Sequence, residues 1–535
     1  MNFNPNHNPY PTTRTAAYAG RGMVATSQPL AARAGLDMIK QGGNAVDAAI
    51  ATAACLTVTE PTSNGIGGDA FAIVWMRNEM FGLNSSGPAP EGISIDAVRA
   101  AGHEAMPRMG WLPVTVPGAP AAWAALSRRF GALSLTECLK PAVTYAREGF
   151  AVSPVVGKYW DVALKSYSRL TGEEFKPFFN TFAPGGRGPK VGETMKLPDH
   201  ADTLEEIGQT NTQSFYSGPL ADKIAAFSAA TGGYLTKSDL EAFEPAWVTP
   251  ISTNYRGYDI WEMPPNGQGL VALVALNILK DYEFTDRDAL NTYHRQFEAI
   301  KLAFTAGKEY ITDPDFMQIS VESLLSKDYA DLLRDRIGEM ALDPAPIAPN
   351  SSGTVYLATA DGEGNMVSYI QSNYMGFGSG IVVPGTGIAL QNRGADFSLD
   401  SNHANALAPG KRCYHTIIPG FMTRNNQAVG PFGVMGGYMQ PQGHVQVVMN
   451  TIDFNLNPQA ALDAPRWQWM QDKTFHVEHA FPRHIAQQLA ARGHQMHVTL
   501  DSGSFGRGQI IWRDAETGVL VGGTEARCDG AIAVW

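Results

Sequence analysis

Asn350-Ser351-Ser352-Gly353-Thr354-Val355-Tyr356-Leu357-Ala358-Thr359-Ala360-Asp361-Gly362-Glu363-Gly364-Asn365 is the stretch whose reading decides the fold. A polar Asn-Ser-Ser-Gly run gives way to β-branched and aromatic residues, so residues 355–360 read as a strand. Asp361-Gly-Glu-Gly-Asn365 has the composition of a hairpin turn, and residues 366–371 read as the returning strand. A third strand is expected over 388–391, and between the strands lies a Gly-rich corner with several polar side chains. Thr354 opens the first strand after the flexible run. A Thr in a strand is ordinary, so the hairpin alone gives it no chemical role.

Outward from this hairpin the pattern is of helices packed on sheet. A short buried strand is read over 22–27, then an amphipathic helix over 29–41 closed by Gly42-Gly43. Asn44 caps a second helix over 45–58, Ala-rich and apolar nearly all round, as a helix buried between layers would be. Residues 60–69 form a Gly-rich turn into a strand over 70–75, which pairs with 81–84 as a hairpin. Residues 113–120 read as a strand and turn. Further helices are expected over 121–129, 135–147, 220–229, 270–280, 291–310, 440–453 and 485–492, with closing strands over 508–513 and 531–535. Residues 1–20 read as an arm, 150–250 as a helical lobe around the sheet, and 340–352 as an exposed linker of the kind that tolerates nicking.

Composition excludes several classes. With 44% hydrophobic and 17% charged residues, 55 Gly and 34 Pro in 535 residues, the chain is a loop-rich globular protein, neither disordered nor a coiled coil. The net charge of −11 and the absence of any Lys/Arg run argue against a nucleic-acid partner. No apolar run reaches the ~20 residues of a membrane span. The polar, Pro-rich start has no signal-peptide character, so a cytoplasmic location without a membrane partner is expected. Four cysteines without CxxC or metal-ligand spacing predict reduced, buried thiols.

Familiar catalytic motifs do not occur: there is no G-x-S-x-G elbow, HExxH or EF-hand loop, and the glycines of 60–69 do not follow G-x-G-x-x-G. The 12 His are scattered, so no metal and no cofactor are predicted.

Several stretches together change the reading. Gly362-Glu-Gly-Asn-Met-Val-Ser-Tyr-Ile-Gln-Ser372, Gly376-Phe-Gly-Ser-Gly380, Pro384-Gly-Thr-Gly-Ile-Ala-Leu-Gln-Asn-Arg393, Asp396-Phe-Ser398 and Met435-Gly-Gly-Tyr-Met-Gln-Pro-Gln-Gly-His444 resemble the small-subunit signature of the gamma-glutamyltransferase family. Gln41-Gly-Gly-Asn-Ala-Val-Asp-Ala-Ala49, Gly65-Ile-Gly-Gly-Asp69 and Val116-Pro-Gly-Ala119 match its N-terminal half in the same order. The resemblance implies an α+β fold, the four-layer αββα sandwich of the N-terminal-nucleophile hydrolases, made as one precursor that cuts itself before a Thr. Matching register back from Gly364-Asn365 puts that residue at Thr354. Residues 1–353 would then form a large chain and 354–535 a small one, together one structural domain, and a dimer of such pairs is left open.

The chemistry is coherent in its own terms. An alcohol is a poor nucleophile near neutral pH, and a freed α-amine with pKa about 7.7–8.0 supplies a base within the same residue. A tetrahedral intermediate needs donors aimed at its oxyanion, and the backbone N–H groups of Gly436 and Gly437 can turn toward it. By resemblance Ser372 orients the nucleophile, and Asn84, Tyr374, Arg393, Asp396, His415 and Thr416 fall where substrate contacts are made, Asp396 matching the acidic ligand of an α-amino group.

The departures from the family pattern bear on substrate. Members that bind a γ-glutamyl group carry an Arg in the loop that here reads Leu83-Asn84-Ser85-Ser86-Gly87-Pro88, and Asn84 offers a neutral amide in place of a charged fork. A Ser-Ser pair becomes His415-Thr416, an Asn position becomes Tyr374, and Gly353 stands where relatives often have Asp. Residues 399–410 are shorter than the lid of many secreted members, which favours hydrolysis over transfer. The expected activity is that of a self-processing Thr amidohydrolase acting on a γ-glutamyl or other small amide. The alternatives are an oxamate amidohydrolase, a cephalosporin acylase-like enzyme, or an uncleaved protein that only binds a ligand.

Overall fold

Every strand beside Gly353–Asp361 is recruited by apolar residues on both of its faces, and this makes the sheet an interior layer. In the computed structural model, which describes Tyr10 and residues 14–343 and 353–535, that strand pairs antiparallel with Met366–Tyr374 on one side and with Gly22–Thr26 on the other. The full order of the first sheet is Ala531–Val534, Gly22–Thr26, Gly353–Asp361, Met366–Tyr374, Asp69–Met76, Glu79–Ser85 and Ala246–Val248. Most of the expected arm and of the linker before Gly353 lies outside the described residues.

A second sheet of seven strands lies against the first, in the order Ala17–Ala19, Leu520–Thr524, Arg507–Arg513, Gln427–Met435, Gly420–Arg424, Tyr258–Glu262 and Ile251–Tyr255. Between the sheets sit Phe71, Ile73, Tyr356, Ala358, Ile370, Phe421, Met435 and Ile511, all buried. The first sheet's outer face is covered by Pro29–Lys40, Ala45–Thr59 and Ala119–Phe130, and the second's by Gly269–Leu279, Met439–Ile452 and Pro458–Asp463. The result is helix, sheet, sheet, helix, the four-layer α+β sandwich expected from the sequence.

Local chemistry explains the layers. Ala45–Thr59 is buried along its whole length, and its small side chains let Pro29–Lys40 and Leu135–Glu148 approach from the far side. It starts at a capping box: Asn44 Oδ1 accepts from the Val46 and Asp47 N–H groups, and Asp47 Oδ2 accepts from the Asn44 N–H at 2.8 Å. Three expectations differ from the structure. Ala17–Ala19, read as part of an arm, is an edge strand of the second sheet, paired with Leu520–Thr524. Residues 113–120 form no strand, because Pro113, Pro117 and Pro120 lack the N–H that a ladder needs. Residues 388–391 make only isolated bridges, Ala389 to Val382 and Leu390 to Gly67, at the Gly-rich corner.

Candidate active site

The register of the central hairpin breaks at Thr354: Gly353 lies opposite Tyr374, Val355 opposite Gln371, and a bulge falls between. Bulges of this kind re-aim a side chain at the end of a strand. Thr354 Oγ1 donates to Ser372 Oγ at 3.1 Å, and Ser372 Oγ donates to the carbonyl oxygen of Gly353 at 2.7 Å. The Tyr374 N–H donates to the same Ser372 oxygen at 2.7 Å, which fixes its single proton on the Gly353 carbonyl. A hydroxyl chain therefore runs from Thr354 to the carbonyl immediately before it. Tyr374 pays for its place with φ 74°, a left-handed conformation that a bulky aromatic rarely adopts.

The same corner is crowded at Gly353. A Cβ there would stand 3.0 Å from Ser63 Cα and 3.1 Å from Gly376 N and Thr62 O, so the space belongs to backbone. Gly353 and Gly436 both line a cavity of about 820 Å³ whose walls include Met109, Tyr167, Phe304 and Trp469. Gly436, with φ 134°, and Gly437, with φ 59°, make the turn between strand Gln427–Met435 and helix Met439–Ile452. Only glycine reaches the first of these without strain, and the turn sits at the positive end of the helix dipole. Gln268, fully buried, holds it in place: its Nε2 donates to the Gly437 carbonyl at 2.8 Å and the Thr416 carbonyl at 2.6 Å, and its Oε1 accepts from Tyr414 Oη.

Beyond the hydroxyl chain lies a buried charged group. Arg393 Nη1 donates to Thr416 Oγ1 at 2.8 Å, and the guanidinium stacks over the Tyr374 ring at 4.0 Å. Its Nε and Nη2 are buried and have no hydrogen-bond partner among the described residues. These two nitrogens share one edge of the guanidinium plane, the edge that receives a carboxylate in bidentate fashion. Asp396 Oδ1 accepts from Tyr374 Oη at 2.8 Å and Tyr438 Oη at 3.0 Å, while its Oδ2, 3.8 Å from Arg393 Nη1, has no hydrogen bond among the described residues. Lys308 Nζ donates to Tyr438 Oη, and burial brings its pKa down to about 8 against the pull of Asp396.

His415 pairs with Asp69, the residue directly across the sheet from Ser372. His415 Nε2 and Asp69 Oδ2 are 3.0 Å apart, and the Ile417 N–H donates to His415 Nδ1, so the ring's proton lies on Nε2. Burial, and then the nearby Arg393, hold His415 well below its ordinary pKa. Burial pushes Asp69 up to about 7, opposed by Arg393 and by donors from Gln391 and the Gly87 N–H.

Of the residues expected from the sequence, Thr354, Ser372 and Tyr374 are joined by hydrogen bonds, and Arg393, Asp396 and Thr416 form a second connected group through Tyr374. Asn84 is engaged at both ends: its Nδ2 donates to Asn266 Oδ1, and its Oδ1 accepts from the Ser86 N–H and Oγ. Sequence reasoning missed Asp69, Gln268, Lys308, Tyr414 and Tyr438. Tyr438 directly follows Gly436-Gly437 and was within reach. Lys308 and Gln268 lie far away in the chain, and only the fold brings them in.

One group among the described residues has the composition of a metal site, His294, Glu298 and His494. Most of its polar atoms are engaged within the protein: His294 Nδ1 and His494 Nε2 share a hydrogen bond at 2.9 Å, His294 Nε2 faces the Gly338 carbonyl, and Glu298 Oε1 pairs with Lys301 Nζ at 2.6 Å, while His494 Nδ1 has no hydrogen-bond partner among the described residues. It carries no link to Thr354.

Comparison with known proteins gives a consistent picture. The sequence model described as gamma-glutamyltranspeptidase matches residues 31–535. The chain is 36% identical over 520 residues to the "Glutathione hydrolase-like YwrD proenzyme" of Bacillus subtilis, covering 95% of this chain and 97% of that protein. It is 34% identical over 526 residues to the "Oxamate amidohydrolase proenzyme" of Klebsiella pneumoniae, covering 96% and 98%. Among solved structures it is similar to the cephalosporin acylase from Bacillus halodurans, with 61% identity, a TM-score of 0.96, and coverage of 100% of this chain and 99% of that one.

Proposed function

The chain belongs to the gamma-glutamyltranspeptidase family, and on that premise we propose that Thr354 is the residue that both cuts the precursor and attacks the substrate. The protein is a self-processed amidohydrolase of the N-terminal-nucleophile type, cleaved into a large and a small chain and acting on small-molecule amides. The observation that carries the assignment to Thr354 is the run of hydroxyls from Thr354 Oγ1 through Ser372 Oγ to the Gly353 carbonyl.

In maturation, Thr354 Oγ attacks the Gly353 carbonyl carbon and loses its proton through Ser372. The Gly353–Thr354 C–N bond then breaks, the departing nitrogen takes up the proton, and an ester joins Gly353 to the Thr354 oxygen. Water cleaves that ester, leaving residues 1–353 as the large chain and a free amine on Thr354. In turnover that amine takes the proton from Oγ as it attacks the substrate amide, and the proton passes to the leaving amine. Water releases the acid from the acyl-enzyme. Gly436 and Gly437 N–H groups stabilise the oxyanion in both reactions, a contribution of about 10²–10³ in rate for a single donor.

Arg393 would receive a carboxylate of the acyl group through Nε and Nη2, taking over the role that an Arg in the Asn84 loop has elsewhere in the family. Asn84 then shapes the wall without touching substrate, since both ends of its amide are committed. His415 acts through Asp69 and Thr416 through Arg393, each supporting the pocket. The four cysteines are free and buried, which fits a cytoplasmic location. Among the described residues no helix is long and apolar enough to cross a membrane. Light scattering measures whether the large-and-small pairs dimerise.

The test is hydrolysis of chromogenic acyl-p-nitroanilides carrying a free carboxylate. Wild type releases p-nitroaniline with a burst from acyl-enzyme, and Thr354→Ala loses at least about 10³ of the rate, as removal of an essential nucleophile does. Undiminished hydrolysis by Thr354→Ala defeats the assignment.

A further inference from the structure

Asp396 stands between two cations, and only one of them comes from the segment that carries the family motif. On one side Arg393 Nη1 lies 3.8 Å from Asp396 Oδ2. On the other, Tyr438 Oη donates to Asp396 Oδ1 at 3.0 Å and receives Lys308 Nζ. Lys308 lies in the last turn of helix Leu290–Tyr310, and its ammonium sits over the rings of Tyr438 and Tyr414 at 3.8 and 4.2 Å. Two aromatic faces hold a cation in a partly buried position without a carboxylate of its own. Nearby, burial holds His415 neutral, and burial pushes Asp69 up to about 7 against Arg393 and the donors from Gln391 and the Gly87 N–H, so that it is only partly ionised near neutral pH.

The charges set what the pocket balances. Arg393, Lys308 and Asp396 leave one positive charge in excess. An acyl group bearing a carboxylate and no ammonium brings the sum to zero when it docks on the buried Nε and Nη2 edge of Arg393, which has no hydrogen-bond partner among the described residues. An α-amino acid head is a zwitterion and leaves the excess in place. Its ammonium, drawn to Asp396 Oδ2, would also stand within a few ångströms of Arg393, where like charges repel strongly in a partly desolvated site.

We infer that Lys308 is a specificity-determining residue: it supplies from within the protein the positive charge that Asp396 would otherwise take from a substrate ammonium. The site therefore selects mono-amides of dicarboxylic acids over the corresponding γ-glutamyl amides. This rests on the function proposed above for the same site, and it adds a residue that the family motif does not contain and a direction of preference.

The test uses a matched pair differing only in the α-ammonium, glutaryl-p-nitroanilide and γ-glutamyl-p-nitroanilide, with wild type, Lys308→Met and Lys308→Arg. Wild type is expected to favour the glutaryl compound in kcat/KM by at least about tenfold. Lys308→Met is expected to shrink that ratio by about tenfold, and Lys308→Arg, which keeps the charge, to hold it within about threefold. Calorimetric binding of glutarate and L-glutamate to the same proteins provides a readout that needs no turnover, and circular dichroism checks that the variants fold. A wild-type preference for the γ-glutamyl compound, a ratio unmoved in Lys308→Met, or no binding of glutarate overturns the inference while leaving an active amidase in place. Hydrolysis of neither compound, with glutarate still bound more tightly than glutamate in a Lys308-dependent way, overturns the proposed function instead. If Lys308→Met fails to fold, Lys308→Gln is measured against Lys308→Arg on the same pair.

Discussion

Ser372 links Thr354, the proposed nucleophile, to the Gly353 carbonyl, the proposed point of cleavage, through one hydroxyl, and its neighbours leave that hydroxyl a single orientation. Removing it leaves Thr354 present but unaligned, so Ser372→Ala should slow both self-cleavage and turnover by roughly 10²-fold, the scale of one positioned proton-transfer group. A time course on a denaturing gel reads the first and initial rates on the matured fraction read the second. Cleavage at the wild-type rate would assign Ser372 to packing alone. Thr354 and Ser372 were legible because their strands have plain turn chemistry between them, so register could be counted from Gly364-Asn365. Asp69 and His415 were less legible: the first closes a family motif and the second is among the expected substrate contacts, but their pairing at 3.0 Å links residues 346 positions apart.

At the scale of elements, the helices with caps and buried faces were the readable part. Asn44 was identified as a cap from its place before an Ala-rich run, and the structure has both halves of the capping box. Asn44→Ala should lower stability by about 1 kcal/mol in urea unfolding, the usual cost of a lost N-cap. A cost near zero would mean that the helix is held by packing alone. Strands in the second sheet were harder. Gln427–Met435 contains Gly430, Pro431 and Gly433, which depress any local strand signal, and pairing with Gly420–Arg424 and Arg507–Arg513 overrides it. Residues 113–120 failed in the opposite direction: Val114 and Val116 alternate as in a strand, but three prolines remove the donors. The small sheet of Trp467–Gln471, Thr474–Glu478 and Gln495–Thr499 was not anticipated, although Thr474–Glu478 and Gln495–Thr499 alternate polar and apolar residues as a strand does.

Across the whole molecule, buried ionisable groups tie stability to pH. His200 is buried against Phe182, and burial holds its pKa down to about 4 from an ordinary 6.5. The folded state thus binds its proton less readily than the unfolded state, so its contribution is complete above pH 6.5 and is lost as pH falls toward 4. That difference corresponds to roughly 3 kcal/mol. Glu60 and Asp69, both pushed up to about 7, act in the opposite sense: folding favours their protonated forms, and their contribution weakens as pH rises through 7. Comparing His200→Gln with wild type isolates the first effect. The variant's unfolding free energy should vary less between pH 6.5 and 4, by about that amount, and parallel curves would show that the ring is not held neutral. Both sheets contain strands from before and after Gly353, so the two chains left by the proposed cut there would remain interleaved and share both layers of the core. The account as a whole stands on where that cut falls. Intact mass and N-terminal sequencing of the purified protein measure it directly: the prediction is two co-purifying chains, the smaller beginning at Thr354, and a single uncut chain for Thr354→Ala. A single chain in the wild type after long incubation, a different new N-terminus, or cleavage that survives Thr354→Ala would contradict it.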